Sequence, residues 1–451
     1  MTPYGGCPED DTHRGAAAPL SVAALVDLEF SENAGGHVKC WQRIGEAAAE
    51  IGGRLDFTAY FLGTRERVIE LGRNARLITL PPVLGTRRFG FLAQGGGHTD
   101  LAPHHPSLAR LLRRHDVIHT TDVFAFAQTG RRVARWHGKP HVTSIHTDLP
   151  QFTEIYTAEI VRRLAGTGAL TRFILDTLRV GAGNAARMRR KVETMIHNSD
   201  RVLVSNPADW RFAAGIVGTS RVGFLRRGID SNRFHPSCRN RARLTARFGI
   251  PGDCPVLLFV GRVDATKNVR FAAEVTRSLI DAGHRLRFLV VGDGVERRTV
   301  TDLLGPDAVT PGHLPQEELG WVCASADVFV FPSETETAGN VVLEAMASGL
   351  AVVVADHPGP AQFVDRAGKD GLVLPTAEPA AWHRALAALI ADPAARQRMG
   401  GLARKTVETR WPTWRDVVAN DLLPIWRDTA PRTVATDPAD LGEIAYFRST
   451  S

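Results

Sequence analysis

The sequence predicts an α/β protein with two domains built on parallel sheets. Segments patterned as buried strands alternate with amphipathic helical stretches along most of the chain. A length of 451 residues suits two domains with tails. Glycine-bearing loops follow several of the strands, at the edge where open parallel sheets bind ligands.

The first half opens with a strand over Ser21–Phe30, followed by SENAGGHVKC and a helical run, Val38–Ile51, closed by Gly52-Gly53. Further strands are expected at Leu55–Phe61, Arg76–Leu80, Asp116–His119, His141–His146 and Asp200–Ser205, with helices such as Phe124–His137 between them. Phe89–Pro106, rich in Gly, His and Pro, reads as a loop. Leu149–His197 breaks the regular spacing as a long, basic, largely helical segment. It can be an acceptor or membrane-touching element, or plain helical packing. The second half begins near Val222, with strands at Val256–Val260, Arg287–Val291, Asp327–Phe331, Ala351–Ala355 and Gly371–Leu374. A last amphipathic helix, Trp411–Arg427, has an apolar face that needs a partner. The expected division is a mobile tail at 1–19, domains at 20–221 and 222–410, the closing helix at 411–427 and a second mobile tail at 428–451.

Composition removes several functional classes. The five cysteines (Cys7, Cys40, Cys238, Cys254 and Cys323) form no CxxC pair, which predicts reduced thiols in a cytoplasmic protein. The sixteen histidines show no metal-ligand spacing, the adjacent His104-His105 included. No apolar run is long enough to span a bilayer. The acidic start, with Glu9, Asp10 and Asp11, does not read as a signal peptide. Up to Arg221 the chain has 28 Lys+Arg against 21 Asp+Glu, and the remainder has 27 of each, so the whole net charge of +7 lies in the first half. A basic face of that kind suits anionic lipid or is merely solvated. Without interleaved aromatics it does not suggest nucleic acid.

Two phrases carry the chemistry. In VGRVDATKNV (Val260–Val269), a buried strand ends at Gly261, and Arg262 and Lys267 follow in the loop, where two cations can hold a diphosphate. In FPSETETAGNVVLEAMASG (Phe331–Gly349), a strand leads through a loop to a helix over Asn340–Ser348, which Gly349 is placed to end. The free N–H groups of Gly339, Asn340 and Val341 would face an anion. Glu344, just over a turn into that helix, can accept two hydroxyl bonds as from a ribose, and Glu336 can do the same for a sugar ring. The competing reading is that one glutamate only caps the helix. Gly292 and Gly294 in VVGDG follow a strand but lack the third glycine of a dinucleotide fingerprint, and two such glycines are commonly just a tight turn. Gly35 and Gly36 offer another close backbone approach to a phosphate. His146, at a strand end in HTDLPQF, can bond a sugar hydroxyl or stabilise charge, although a lone His is more often structural.

Together, GGHVK, SIHTDLP, LRRGIDSNRFHP, VGRVDATKN, VVGDG, PGHLPQEEL and ETETAGNVVLEAMASG resemble the retaining GT-B glycosyltransferases of family 4, over most of Ser21–Arg427. HTD, RRGID and TETAGN resemble the branch with bacterial lipid mannosyltransferases and sulfoquinovosyl- or glucosyl-diacylglycerol synthases. The resemblance implies two Rossmann-like domains facing across a cleft, with the closing helix crossing back to the first. It implies that Arg262 and Lys267 hold the diphosphate, Glu344 the ribose and Glu336 the transferred sugar. Gly35 and Gly36 would face the phosphates, and His146 would sit near the sugar. It further implies a UDP- or GDP-linked hexose donor, a lipid or glycan acceptor, retention of anomeric configuration and no metal or other cofactor. The protein would work in the cytoplasm, with peripheral contact to the membrane's inner face and no nucleic-acid partner.

The chain departs from that pattern at Ala338, where these relatives usually carry Phe, and in the length of Leu149–His197. Two other functions stay open on the sequence. One is transfer to a soluble small molecule; the other is a non-catalytic nucleotide- or glycan-binding protein, which would have no reason to keep Lys267, Glu336 and Glu344 together.

Overall fold

Two parallel sheets, each wrapped by helices, face one another across a cleft. The computed structural model describes residues 18–31, 34–89, 98–166, 168–336 and 339–430. Most of the two expected tails, and the centre of the expected loop over Phe89–Pro106, lie outside them.

The first sheet is built from β1 (Leu20–Glu29), β2 (Leu55–Leu62), β3 (Arg67–Gly72), β4 (Ala75–Leu80), β5 (Val117–Thr120), β6 (His141–Ser144), β7 (Arg201–Val204) and β8 (Val222–Phe224). Their order is β3-β4-β2-β1-β5-β6-β7-β8. Every pair is parallel except β3 with β4. Val22–Val26 of β1 are wholly buried because helices cover both faces, and such strands read as unbroken apolar runs. Around this sheet run α1 (Gly36–Ile51), α2 (Ala125–His137), α3 (Leu149–Ala165), α4 (Val180–His197) and α5 (Pro207–Val217). Leu149–His197 is thus a helical hairpin of α3 and α4, joined by a short helix, Ala169–Arg172, and a π-helical turn, Phe173–Thr177.

The second sheet comprises β9 (Val256–Val260), β10 (Arg287–Val291), β11 (Ala308–Gly312), β12 (Val328–Phe331), β13 (Ala351–Ala355) and β14 (Leu372–Leu374), in the order β11-β10-β9-β12-β13-β14. The helices that matter for the site are α6 (Val269–Asp281) and α7 (Asn340–Ala347). Gly349, with φ +77°, follows α7 in the left-handed conformation that ends many helices, as its position in the sequence suggests.

Three strands escape the sequence pattern. The edge strand β3 alternates exposed and half-buried positions and carries Arg67 and Glu70. β11 is mostly half-buried and includes Pro311. β8 has three residues and pairs with β7, so the first sheet runs past residue 221. Leu225 still packs in the first core, while Ile229 packs in the second, so the chain changes domain between them rather than at 221/222.

The return crossing lies beside that exit. Ile229 N donates to Pro412 O at 3.1 Å. A Cβ at Gly228 would lie 2.5 Å from the Trp414 ring, so only glycine lets the two crossings touch. The closing segment is helical over Trp414–Asp416, π-helical over Val417–Leu422, and helical again over Leu423–Thr429. It is therefore an interrupted helix that includes Asp428, which the sequence assigned to the tail. Val417, Val418, Leu422 and Trp426 pack in the first core with Trp41 and Phe57, which supplies the partner their apolar pattern required. Arg226 and Asp421 pair at 2.6 Å and pin the crossing.

Candidate active site

On the second-domain side, β9 delivers Gly261 and Arg262 into the cleft, and a 3-10 turn over Ala265–Lys267 follows. Asp264 caps that turn, accepting from Thr266 N at 3.0 Å and Thr266 Oγ1 at 2.5 Å. Arg262 is held by Thr266 Oγ1 at 3.0 Å and by Asp264 at 3.3 Å. Lys267 Nζ donates to Glu336 Oε1 at 2.5 Å. Burial pushes the Glu336 carboxyl up, but Lys267, then Arg262 and Arg227, hold it below the usual glutamate range. Gly359 backs the Glu336 main chain, and a Cβ there would fall 1.8 Å from Glu336 O.

Helix α7 begins at Gly339, with φ +82°, and has no side-chain cap, so its first N–H groups are left for a ligand. Asn340 Oδ1 is buried without a hydrogen-bond partner and lines the same cleft. One turn on, burial pushes Glu344 up to about 7, against the pull of Arg43 and Arg233.

On the first-domain side, α1 starts at Gly35 and Gly36, where a Cβ would meet nothing within 4 Å. Steric crowding therefore does not require these glycines; they leave the helix start open to the cleft. His37 stacks on His146, with ring centroids 4.4 Å apart. Burial, followed by Arg227, pushes His37 down to about 3. Burial, followed by His37 and Arg227, pushes His146 well below the usual histidine range, so both rings are neutral at physiological pH.

His146 is crowded by donors. Trp41 Nε1 donates to its Nε2 at 3.2 Å, and both terminal nitrogens of Arg227 donate toward its Nδ1 at 3.3 Å. A neutral imidazole has one bare nitrogen, so it cannot accept both. Arg227 Nε is also buried with no partner, as is His37 Nε2. Next to His146, Thr147 forms a β-bridge with Glu336, which brings the two domains together at the site.

All thirteen residues singled out from the sequence line this one cavity of about 1240 Å³. Gly292 and Gly294 also have a packing reason. Their Cβ atoms would lie 1.8 Å from Gly261 O and 2.3 Å from Val263 O, so glycine is what allows the two loops to pair. Sequence reasoning missed Arg227, although it lies in the quoted RRGID phrase, and also His37 and Asn340 as buried groups with unmet polar atoms. Ala338 lies outside the described residues. Among the described residues, no cluster of three or more His, Cys, Asp or Glu is placed to hold a metal ion.

Comparison with known proteins fits this geometry. Residues 254–392 match the family described as Glycosyl transferases group 1. A GDP-mannose-dependent alpha-mannosyltransferase of Mycobacterium tuberculosis is 32% identical over 312 residues, covering 68% of this chain and 71% of that protein. The chain belongs to the group 1 glycosyltransferases, enzymes of the transferase class with the GT-B fold. A sulfoquinovosyl transferase of Arabidopsis thaliana is 30% identical over 307 residues, 66% of this chain, and the match spans about half (54%) of the plant protein's length. Sucrose-phosphate synthase from Thermosynechococcus elongatus has the same fold, with a TM-score of 0.67 at 20% identity over 91% of this chain and 98% of that one. So does an Anabaena protein solved with UDP and glucose, with a TM-score of 0.61 at 16% identity over 91% of this chain and 99% of that one.

Proposed function

We propose that this chain is a retaining family 4 enzyme that moves a hexose from a UDP- or GDP-linked donor to a lipid or glycan acceptor at a membrane surface. The observation that carries the reading is the convergence of Arg262, Lys267 and Arg227 on one cleft, beside an uncapped helix start and two glutamates. Three cations suit a diphosphate, and they can stabilise the charge that grows on the leaving group without a metal. Glu344, once ionised, accepts from ribose hydroxyls, and Glu336, held ionised by Lys267, accepts from hydroxyls of the sugar. In the transfer, the bond from the anomeric carbon to phosphate oxygen breaks and a bond to the acceptor oxygen forms on the same face. The acceptor's proton goes to the departing phosphate. Neutral His146 serves as a hydrogen-bond partner near the sugar rather than as a cation.

Membrane contact is supported by the far end of the α3–α4 hairpin. Leu164, Phe173 and Leu178 are exposed there, and Arg162, Arg163, Arg172 and Arg179 flank them in the chain. No described helix is long and apolar enough to cross a bilayer.

The test is calorimetric titration with UDP, GDP and ADP, with and without magnesium, followed by transfer from the matching sugar nucleotide and analysis of the product's anomeric configuration. Selective micromolar binding of UDP or GDP without metal, with a retained product, is expected. Binding of neither would sink the donor assignment, and an inverted product would sink the mechanism. Flotation with anionic vesicles, compared with neutral ones, tests the membrane contact.

A further inference from the structure

We propose that the arm of the cleft beneath the α3–α4 hairpin is a subsite for an apolar chain carried by the acceptor. This rests on the glycosyltransferase reading above. The cavity, at about 1240 Å³, exceeds the roughly 300–1000 Å³ of an ordinary small-molecule site. The groups suited to a nucleotide sugar gather around Arg262, Lys267, Glu336 and Glu344. The same cavity also reaches residues of α3, α4 and α5.

That arm is lined by Ile145, Leu149, Phe152, Met188, Val192 and Phe212. The packing of α3 is the telling feature. It is a helix of 17 residues in which no side chain is fully buried. Leu149, Phe152, Ile155, Tyr156 and Ile160 are only half-buried, so its apolar side keeps uncovered area even though Leu149 packs on the cluster that holds Val192 and Met195 and Phe152 stacks on Tyr156. Apolar area that the protein leaves uncovered forfeits dispersion contacts that a ligand would restore.

The arm's chemistry selects its occupant. Of the cations lining the cleft, α3, α4 and α5 contribute only Arg189 among the described residues, and its guanidinium lies 5.8 Å from the Phe212 ring centroid. A second phosphate or nucleotide would therefore lack counter-charge there, whereas an acyl, prenyl or other alkyl chain would not. The arm is also continuous with the reacting centre. Phe152 lines it and lies under Arg262, 5.6 Å from centroid to guanidinium, and Ile145 directly precedes His146. A chain threaded along α3 would bring the hydroxyl at its head to the place where the diphosphate leaves.

The experiment is fluorescence titration of the full chain with the neutral apolar probe N-phenyl-1-naphthylamine, then displacement by 1-decanol and by 1-butanol. Two variants, A208W on α5 and T153W on α3, fill the arm from half-buried positions that bear no donor contact. Wild type is expected to show saturable one-to-one binding, displaced by decanol at a concentration at least tenfold below that of butanol. Either variant is expected to bind the probe at least tenfold more weakly, with nucleotide affinity measured by calorimetry within twofold of wild type. Absence of saturable binding in the wild type overturns the subsite, as does equal binding in both folded variants. Failure of nucleotide binding alone would instead count against the donor assignment, since the probe reads the arm directly.

Discussion

Replacing Lys267 with Met should make the protein's stability respond to pH in a new way. Lys267 Nζ and Glu336 Oε1 stand 2.5 Å apart, with side chains 13% and 23% exposed. At an effective dielectric constant of about 20, two unit charges at that distance attract by roughly 7 kcal/mol before desolvation is subtracted. Breaking a fully buried pair costs about 3–5 kcal/mol, because one charge is left uncompensated. Partial exposure here, and the remaining pull of Arg262 and Arg227, bring the expected loss at pH 7.5 to about 2–3 kcal/mol. In the wild type the Glu336 carboxyl sits below its ordinary 4.5, so its contribution is present above that pH and fades as pH falls through the lower folded value. Without Lys267, burial, already the largest single influence, is opposed only by Arg262 and Arg227, and the carboxyl should rise above 4.5. The variant then takes up a proton on acidification and regains part of the loss. Urea unfolding of both proteins at pH 7.5 and pH 5 measures this. The gap should narrow by about 1 kcal/mol or more at pH 5. A gap that stays constant or widens would refute the claim that Lys267 is what keeps Glu336 ionised. The same substitution should also weaken transfer by roughly 2–5 kcal/mol of transition-state stabilisation if Lys267 holds the diphosphate, and near-normal turnover would remove it from the mechanism.

Other expectations follow from the same geometry. Because burial holds Glu344 near pH 7, nucleoside diphosphate affinity should rise between pH 6 and 8 as its carboxylate forms, and E344A should weaken binding and flatten that rise. An unchanged calorimetric profile would separate Glu344 from the ribose. G292A should destabilise the fold by about 3 kcal/mol or more, since its Cβ would meet Gly261 O at 1.8 Å on a backbone at φ +137°; thermal unfolding close to that of wild type would contradict the tight loop pairing. R227A should lower nucleotide affinity by about tenfold, the worth of one charge-assisted hydrogen bond, and should raise the pH at which His37 and His146 titrate by proton NMR, because a cation beside both rings is gone. Titration at the same pH as in wild type would show that Arg227 does not act on them.

Much of this protein was determined by sequence alone. The runs LLFV, FLVV and AVVVA read as strands covered on both faces, because they are short and nothing in them is fit to meet water. Within VGRVDATKNV, and again within ETETAGNVVLEAMASG, loop and helix start are contiguous, so each group of candidate residues was legible locally, while the contact between Lys267 and Glu336 that joins the two phrases was not. The edge strand β3 and the three-residue β8 were not legible, since neither has a buried face long enough to leave a pattern. Tertiary structure also decided which groups meet in the cleft. Arg227, His37 and His146 lie far apart in sequence, and only the packing of α1, β6 and the interdomain crossing brings their polar atoms together. It also decided protonation. Glu336 and Glu344 have the same side chain, yet Lys267 pulls one carboxyl down while burial pushes the other up to about 7, because those neighbours belong to the fold and not to the local sequence.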